Sequence, residues 1–107
     1  MIVRGLFVVD YNALLSHTDV IRKHYVYLLE HLDTKLSGLV NHLIAYEVIS
    51  AVERDDISAE QTSFRANVKL LSVLSRKSPH KFQSFLNALD NCGQQHVRIS
   101  ITKQPGF

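Results

Sequence analysis

Cys92 and His96 stand four residues apart, the spacing that places a thiol and an imidazole on one face of a helix. A nucleophilic thiol needs a lowered pKa, a base within reach and an oxyanion hole inside a cleft. The pair straddles a helix boundary marked by Gly93, and a small helical chain leaves little room for a cleft. Cys92 therefore reads as a partly buried structural thiol, and no catalytic residue is assigned. The six histidines are His17, His24, His31, His42, His80 and His96. The first three recur every seven residues, near one helix face, but such residues lie about 10 Å apart and do not converge on one ion. They read as ordinary surface histidines, with a pH-sensitive interface left open because imidazole titrates near neutrality. No Walker loop, dinucleotide fingerprint or EF-hand loop is present, so neither a metal nor a cofactor is expected.

The charged residues carry more information than their total. The chain has a formal net charge of +2 and a pI near 8.8, too mildly basic to choose a partner class. Residues 47–60 hold Glu47, Glu53, Asp55, Asp56 and Glu60 against Arg54 alone, whereas residues 61–77 hold Arg65, Lys69, Arg76 and Lys77 and no acid. The acidic stretch is readable as a binding face, a metal site or a solvated helix surface. The basic group, extended by Lys81, is readable as a phosphate-contacting surface. It spans two helices, however, without interleaved exposed aromatics, since Phe82 and Phe85 read as core, and nothing marks a recognition helix. A basic helical nucleic-acid-binding domain is thus an alternative rather than the expectation.

These residues need elements to hold them. With 107 residues, 46% hydrophobic and 21% charged, the chain has the composition of one folded domain. A single cysteine excludes an internal disulfide framework and fits a reducing compartment, so a cytoplasmic location is expected. No apolar run approaches the roughly 20 residues of a membrane-crossing helix, so no membrane partner is expected, and the N-terminus lacks the pattern of a signal peptide.

From Asp19 onward the apolar spacing is helical. Ile21, Tyr25, Leu28, Leu29 and Leu32 form one stripe, capped by Thr18 or Asp19 and preceded by a half-helix from about Tyr11 to His17. Leu36, Leu39, Val40, Leu43 and Ile44 form a second. Ser50 with Glu53 predicts a capping box and a short helix ending near Ser58. Thr62 caps the next helix, with Phe64, Val68, Leu71 and Leu74 on its inner face. Ser78 before Pro79 signals another, burying Phe82, Phe85, Leu86 and Leu89 and ending at Asn91-Cys92-Gly93. A last short helix spans Gln94 to about Arg98. The alternating segment from Ile99 to Phe107 reads as a loose tail. Six helices joined by short turns predict a compact antiparallel bundle.

These ordered segments resemble a caspase recruitment domain (CARD), a branch of the death-domain superfamily. Ile21-Arg22-Lys23-His24 with Leu28-Leu29-Glu30-His31-Leu32 resembles the family's first helix. Leu39-Val40-Asn41-His42-Leu43-Ile44 and Val48-Ile49-Ser50 resemble its second helix and the turn into the third. Ser63-Phe64-Arg65-Ala66-Asn67-Val68-Lys69-Leu70-Leu71 resembles the fourth. Ser78-Pro79-His80-Lys81-Phe82, Phe85, Ala88-Leu89 and Gly93-Gln94-Gln95-His96-Val97 resemble the fifth and the start of the sixth. The flavour is that of CARDs in initiator caspases and their adaptors.

The resemblance implies an all-α, six-helix Greek-key bundle of the death-fold type over residues 18–98, with residues 1–17 an N-terminal extension and 99–107 a tail. It implies a non-enzymatic module, any protease activity lying in a separate domain. The partner it implies is another CARD-containing protein (a caspase, adaptor or sensor) and also a second copy of the chain. An acidic face of Glu47, Glu53, Asp55 and Asp56 would meet a basic face of Arg22, Lys23, Arg65 and Lys69. A CARD-only decoy, occupying one face and stopping assembly, is the alternative within this class.

Overall fold

The computed structural model describes residues 16–102, and every regular element among them is helical. Seven helices follow one another: α1 (His17–Lys23), α2 (Tyr25–His31), α3 (Leu39–Ala45), α4 (Ala51–Ser58), α5 (Ser63–Ser75), α6 (Pro79–Asn91) and α7 (Gln95–Thr102). The expected half-helix before His17, the N-terminal extension up to Leu15 and the tail after Thr102 lie outside the described residues.

Local chemistry starts and stops these helices. The Ser50 hydroxyl accepts from the Glu53 N–H at 3.1 Å while the Glu53 carboxylate accepts from the Ser50 N–H at 2.9 Å, completing the predicted capping box. Thr62 and Ser78 cap α5 and α6 with the hydroxyl alone, without the reciprocal bond, and Pro79 occupies the first turn of α6. Ser78 has φ −73°, ordinary extended backbone for a cap. The helix α6 ends on Gly93 at φ +85°, with Gln94 N–H donating back to the Leu89 carbonyl at 2.7 Å. The α3 terminus repeats this turn without a glycine. Glu47 takes φ +61°, Val48 N–H reaches the Leu43 carbonyl at 2.8 Å, and Glu47 N–H reaches Ile44 at 3.0 Å.

Five expectations are corrected. Ser16, not Thr18 or Asp19, caps α1, its hydroxyl accepting from the Asp19 N–H. The first stripe is broken at His24, and Tyr25, which an unbroken period would bury, is 37% exposed. The next helix starts at Leu39 rather than near Leu36, because Gly38 at φ +83° cannot sit inside a right-handed helix; Leu36 is left 86% exposed. Phe64 points out of the core, 57% exposed. Residues 99–102, expected in a loose tail, form the last turn of α7. Val97 and Ile101, one turn apart, are both fully buried, and that burial outweighs the strand preference of β-branched residues.

Packing is set by the buried faces. Leu28, Leu39, Leu43, Ile57, Leu70, Leu74, Phe85, Leu89 and Ile101 form the innermost layer. Helix α5 lies against α1, α2 and α4, α6 lies against α3 and α7, and α1 also touches α7, so elements distant in sequence are spatial neighbours.

Two buried amides tie the irregular segment between α2 and α3 to the rest. Asn67 on α5 donates to the Leu29 and Leu32 carbonyls at 3.1 and 2.8 Å, meeting carbonyls that the end of α2 leaves open. Its carbonyl accepts from the Thr34 hydroxyl at 2.6 Å. The Gln94 side chain accepts from the Asp33 N–H at 2.8 Å and donates to the Asp33 carbonyl at 2.9 Å, pairing with that residue as a neighbouring strand would.

Candidate functional site: two charged surfaces

The predicted basic residues lie on two helices that pack together. Arg22 and Lys23 close α1, and Arg65 and Lys69 stand one turn apart on α5. Arg22 projects into solvent, its side chain 77% exposed, and pairs with Asp19 on its own helix. Arg65 is exposed, and Lys69 lies 3.7 Å from Glu60 at the entry to α5. A shallow groove of about 430 Å³ on α5 is lined by Glu60, Phe64, Arg65, Val68, Lys69 and Ser72.

The predicted acidic residues differ in exposure and in partners. Asp55 and Asp56 are exposed on α4, Asp55 accepting from Arg54 Nε at 3.2 Å. Glu53 faces inward: besides its capping role it takes two hydrogen bonds from Lys77 Nζ, at 2.9 and 3.0 Å. Burial alone would raise the Glu53 carboxyl, but the Ser50 N–H and the Lys77 ammonium outweigh it and hold the group below its ordinary value. Glu47 is exposed in the turn after α3, where its backbone carbonyl accepts from Lys81 Nζ at 2.6 Å. Lys77 and Lys81, counted as free surface charge in the sequence, thus work partly as internal clamps. Neither pairing leaves a local signal, since its members lie 24 and 34 residues apart.

The other chemistry-bearing residues are accounted for by packing. Cys92 is partly buried, its sulfur accepting from Gln94 Nε2 at 3.2 Å, while His96 is exposed. His31 stacks on Tyr27, ring centroids 4.3 Å apart. His17 departs from the surface reading: both ring nitrogens are buried and its ring leans on Phe82, centroids 5.6 Å apart. Among the described residues no group of His, Cys, Asp and Glu is arranged to hold a metal ion, and no helix is long and apolar enough to cross a membrane.

Comparison with known proteins identifies the family. The chain is 32% identical to caspase-2 of Gallus gallus over 87 residues, covering 81% of this chain and 20% of that protein. It is 27% identical over 78 residues to apoptotic protease-activating factor 1 of Rattus norvegicus and of Mus musculus, covering 73% of this chain and 6% of each relative. The chain thus spans a fifth or less of the curated relatives it matches. No solved structure matches it. The family model for the caspase recruitment domain matches residues 18–104, which takes in all but the cap and first residue of the described helices, and the chain belongs to the caspase recruitment domain family.

Proposed function

We propose that this chain is a homotypic interaction module that binds other CARDs and assembles caspase-recruiting signalling complexes in the cytoplasm, without chemistry of its own. In this reading α1 and α2 are one first helix broken at His24, and the seven helical segments make the six-helix Greek key of the death fold. The observation that carries the interaction is the separation of surface charge: exposed Asp55 and Asp56 on α4, exposed Arg65 and half-buried Lys69 on α5. A molecule bearing both signs on different helices associates head to tail, and such contacts build open assemblies when the rotation does not close. Opposed charges speed encounter and fix register more than they add affinity, since exposed pairs are each worth about 1 kcal/mol or less. Glu53 supports the acidic surface by holding the start of α4 rather than by touching a partner. Arg22 and Lys23 extend the basic surface on α1. Clustering raises the local concentration of whatever effector is attached, into the mM range for short tethers.

The test is charge reversal. Arg65→Glu and Asp56→Lys each abolish association with a CARD partner or with itself while leaving helicity and melting unchanged. Mixing the two variants leaves one intact interface and restores pairs but not larger assemblies. Light scattering at ~50 and ~500 mM salt shows the wild-type contact weakening as charges are screened. Association undiminished in both reversals refutes the proposal.

A further inference from the structure

The turn between α5 and α6 joins an exposed hydroxyl to a proline and a set of cations. Ser78 is followed at once by Pro79 and three residues on by Lys81, with Arg76 and Lys77 before it. Ser78, Pro79 and His80 are exposed, and Ser78 has extended backbone, φ −73° and ψ 161°. A kinase whose pocket after the acceptor offers no partner to a backbone N–H takes proline there, because another residue would leave a donor unpaired. An acidic subsite further along then selects a cation at the position of Lys81. Presenting this segment opens the first turn of α6, where Lys81 N–H bonds the Ser78 hydroxyl at 3.2 Å and Phe82 N–H bonds the Ser78 carbonyl at 3.1 Å. Terminal turns open at far lower cost than the core.

We propose that Ser78 is the phosphate acceptor for a proline-directed serine/threonine kinase, and that Lys77 and Lys81 hold the phosphoryl group once it is attached. Ser78 Oγ attacks the γ-phosphorus of ATP. The Oγ–P bond forms, the bond from that phosphorus to the β,γ-bridging oxygen breaks, ADP leaves, and the hydroxyl proton passes to the kinase's catalytic carboxylate. The product carries about −1.5 to −2 charges at neutral pH and three acceptor oxygens. Two ammonium groups flank it in the chain. Lys77 Nζ is engaged by the Glu53 carboxylate, and Lys81 Nζ by the neutral Glu47 carbonyl. A dianion competes for Lys81 better than a neutral carbonyl does, and it shares Lys77 with Glu53. The modification therefore redirects the two clamps that tie the α5–α6 turn to α4 and to the turn after α3. It does not depend on the charged surfaces of α4 and α5.

The full chain is treated with ATP and a purified proline-directed kinase that favours a basic residue three positions after the acceptor, and the product is read by peptide mass spectrometry. One phosphoryl group is expected, on Ser78. Ser78→Ala takes up none there, whereas Ser78→Thr, which keeps a hydroxyl and a cap, is still labelled. Pro79→Ala, checked for unchanged melting, slows incorporation by about tenfold or more, and Lys81→Ala slows it by a smaller factor. The phosphorylated protein melts about 2–6 °C above the unmodified one at ~50 mM salt, and the gain shrinks at ~500 mM. A folded chain that stays unlabelled, even where a peptide of residues 74–85 is labelled, overturns the acceptor assignment. So does labelling at another residue, or labelling of Pro79→Ala at the wild-type rate. Labelling of Ser78 with melting unchanged or lowered overturns Lys77 and Lys81 as its holders and leaves the acceptor standing.

Discussion

Removing the Asn67 side chain should be among the most damaging single changes available outside the apolar core. The residue is 1% exposed and makes three hydrogen bonds: two donated to the Leu29 and Leu32 carbonyls, one accepted from Thr34. Asn67→Ala leaves two carbonyls and a hydroxyl without partners in a place water reaches poorly. At about 1 kcal/mol net per bond, and more where a group stays buried and unpaired, the loss is about 3–4 kcal/mol. With a urea slope of roughly 1–1.5 kcal/mol per M, the midpoint falls by about 2–4 M, which urea unfolding followed by circular dichroism resolves easily. Thr34→Val removes only the hydroxyl and should cost about 1 kcal/mol; combined with Asn67→Ala it should add almost nothing, since the bond it removes is already gone. A loss below about 1 kcal/mol for Asn67→Ala, or strict additivity in the double variant, refutes the assignment of Asn67 as the polar tie between α5 and the α2–α3 segment.

Two further outcomes are expected. Because the folded state holds the Glu53 carboxyl below its ordinary value, its contribution is fully present above the ordinary carboxylate range and is lost as pH falls through the lowered folded value. Lys77→Met removes one source of that lowering, so urea midpoints measured from pH 7 to pH 3 should fall less steeply on the acid side than in wild type; parallel curves refute the pairing. Ile101→Ala should cost about 2–4 kcal/mol in the same urea assay, as for a buried aliphatic residue, and a cost near zero would return residues 99–102 to a loose tail.

The parts of the fold visible in the sequence are those decided within a few residues. The Ser50–Glu53 box, the Thr62 cap, the Ser78-Pro79 start and the Gly93 stop each depend on one turn of chain, and all four stand in the structure. The break at His24 has no Pro or Gly to announce it, and helical bonds from His24 to Val20 and from Leu28 to His24 still bridge it. The start of α3 had a signal in Gly38 that the apolar stripe beginning at Leu36 masks. Phe64 fits the helical period, yet on α5 the inward positions are taken by Ala66, Asn67, Leu70, Leu71 and Leu74, and the ring is left at the edge. For the charged surfaces, the segregation of acids and bases is legible because it is compositional. Which charges remain available is not, because Glu53 is withdrawn by a lysine 24 residues away. Buried amides such as Asn67 and Gln94 look, by type and spacing, like any surface residue.

The pairing of Gln94 with Asp33 gives the short turn between α6 and α7 influence over a segment 61 residues upstream. A side chain that satisfies both backbone groups of Asp33, and also donates to Ser37, substitutes for the secondary structure that segment lacks. Chain scission or truncation anywhere from Cys92 to Gln94 would therefore be felt at residues 33–38, which would lose one of the two amide ties that hold them. The loop entering α3 is thus tied to the turn before the last helix as well as, through Asn67, to α5, and such ties raise the opening energy of a segment above that of a surface loop.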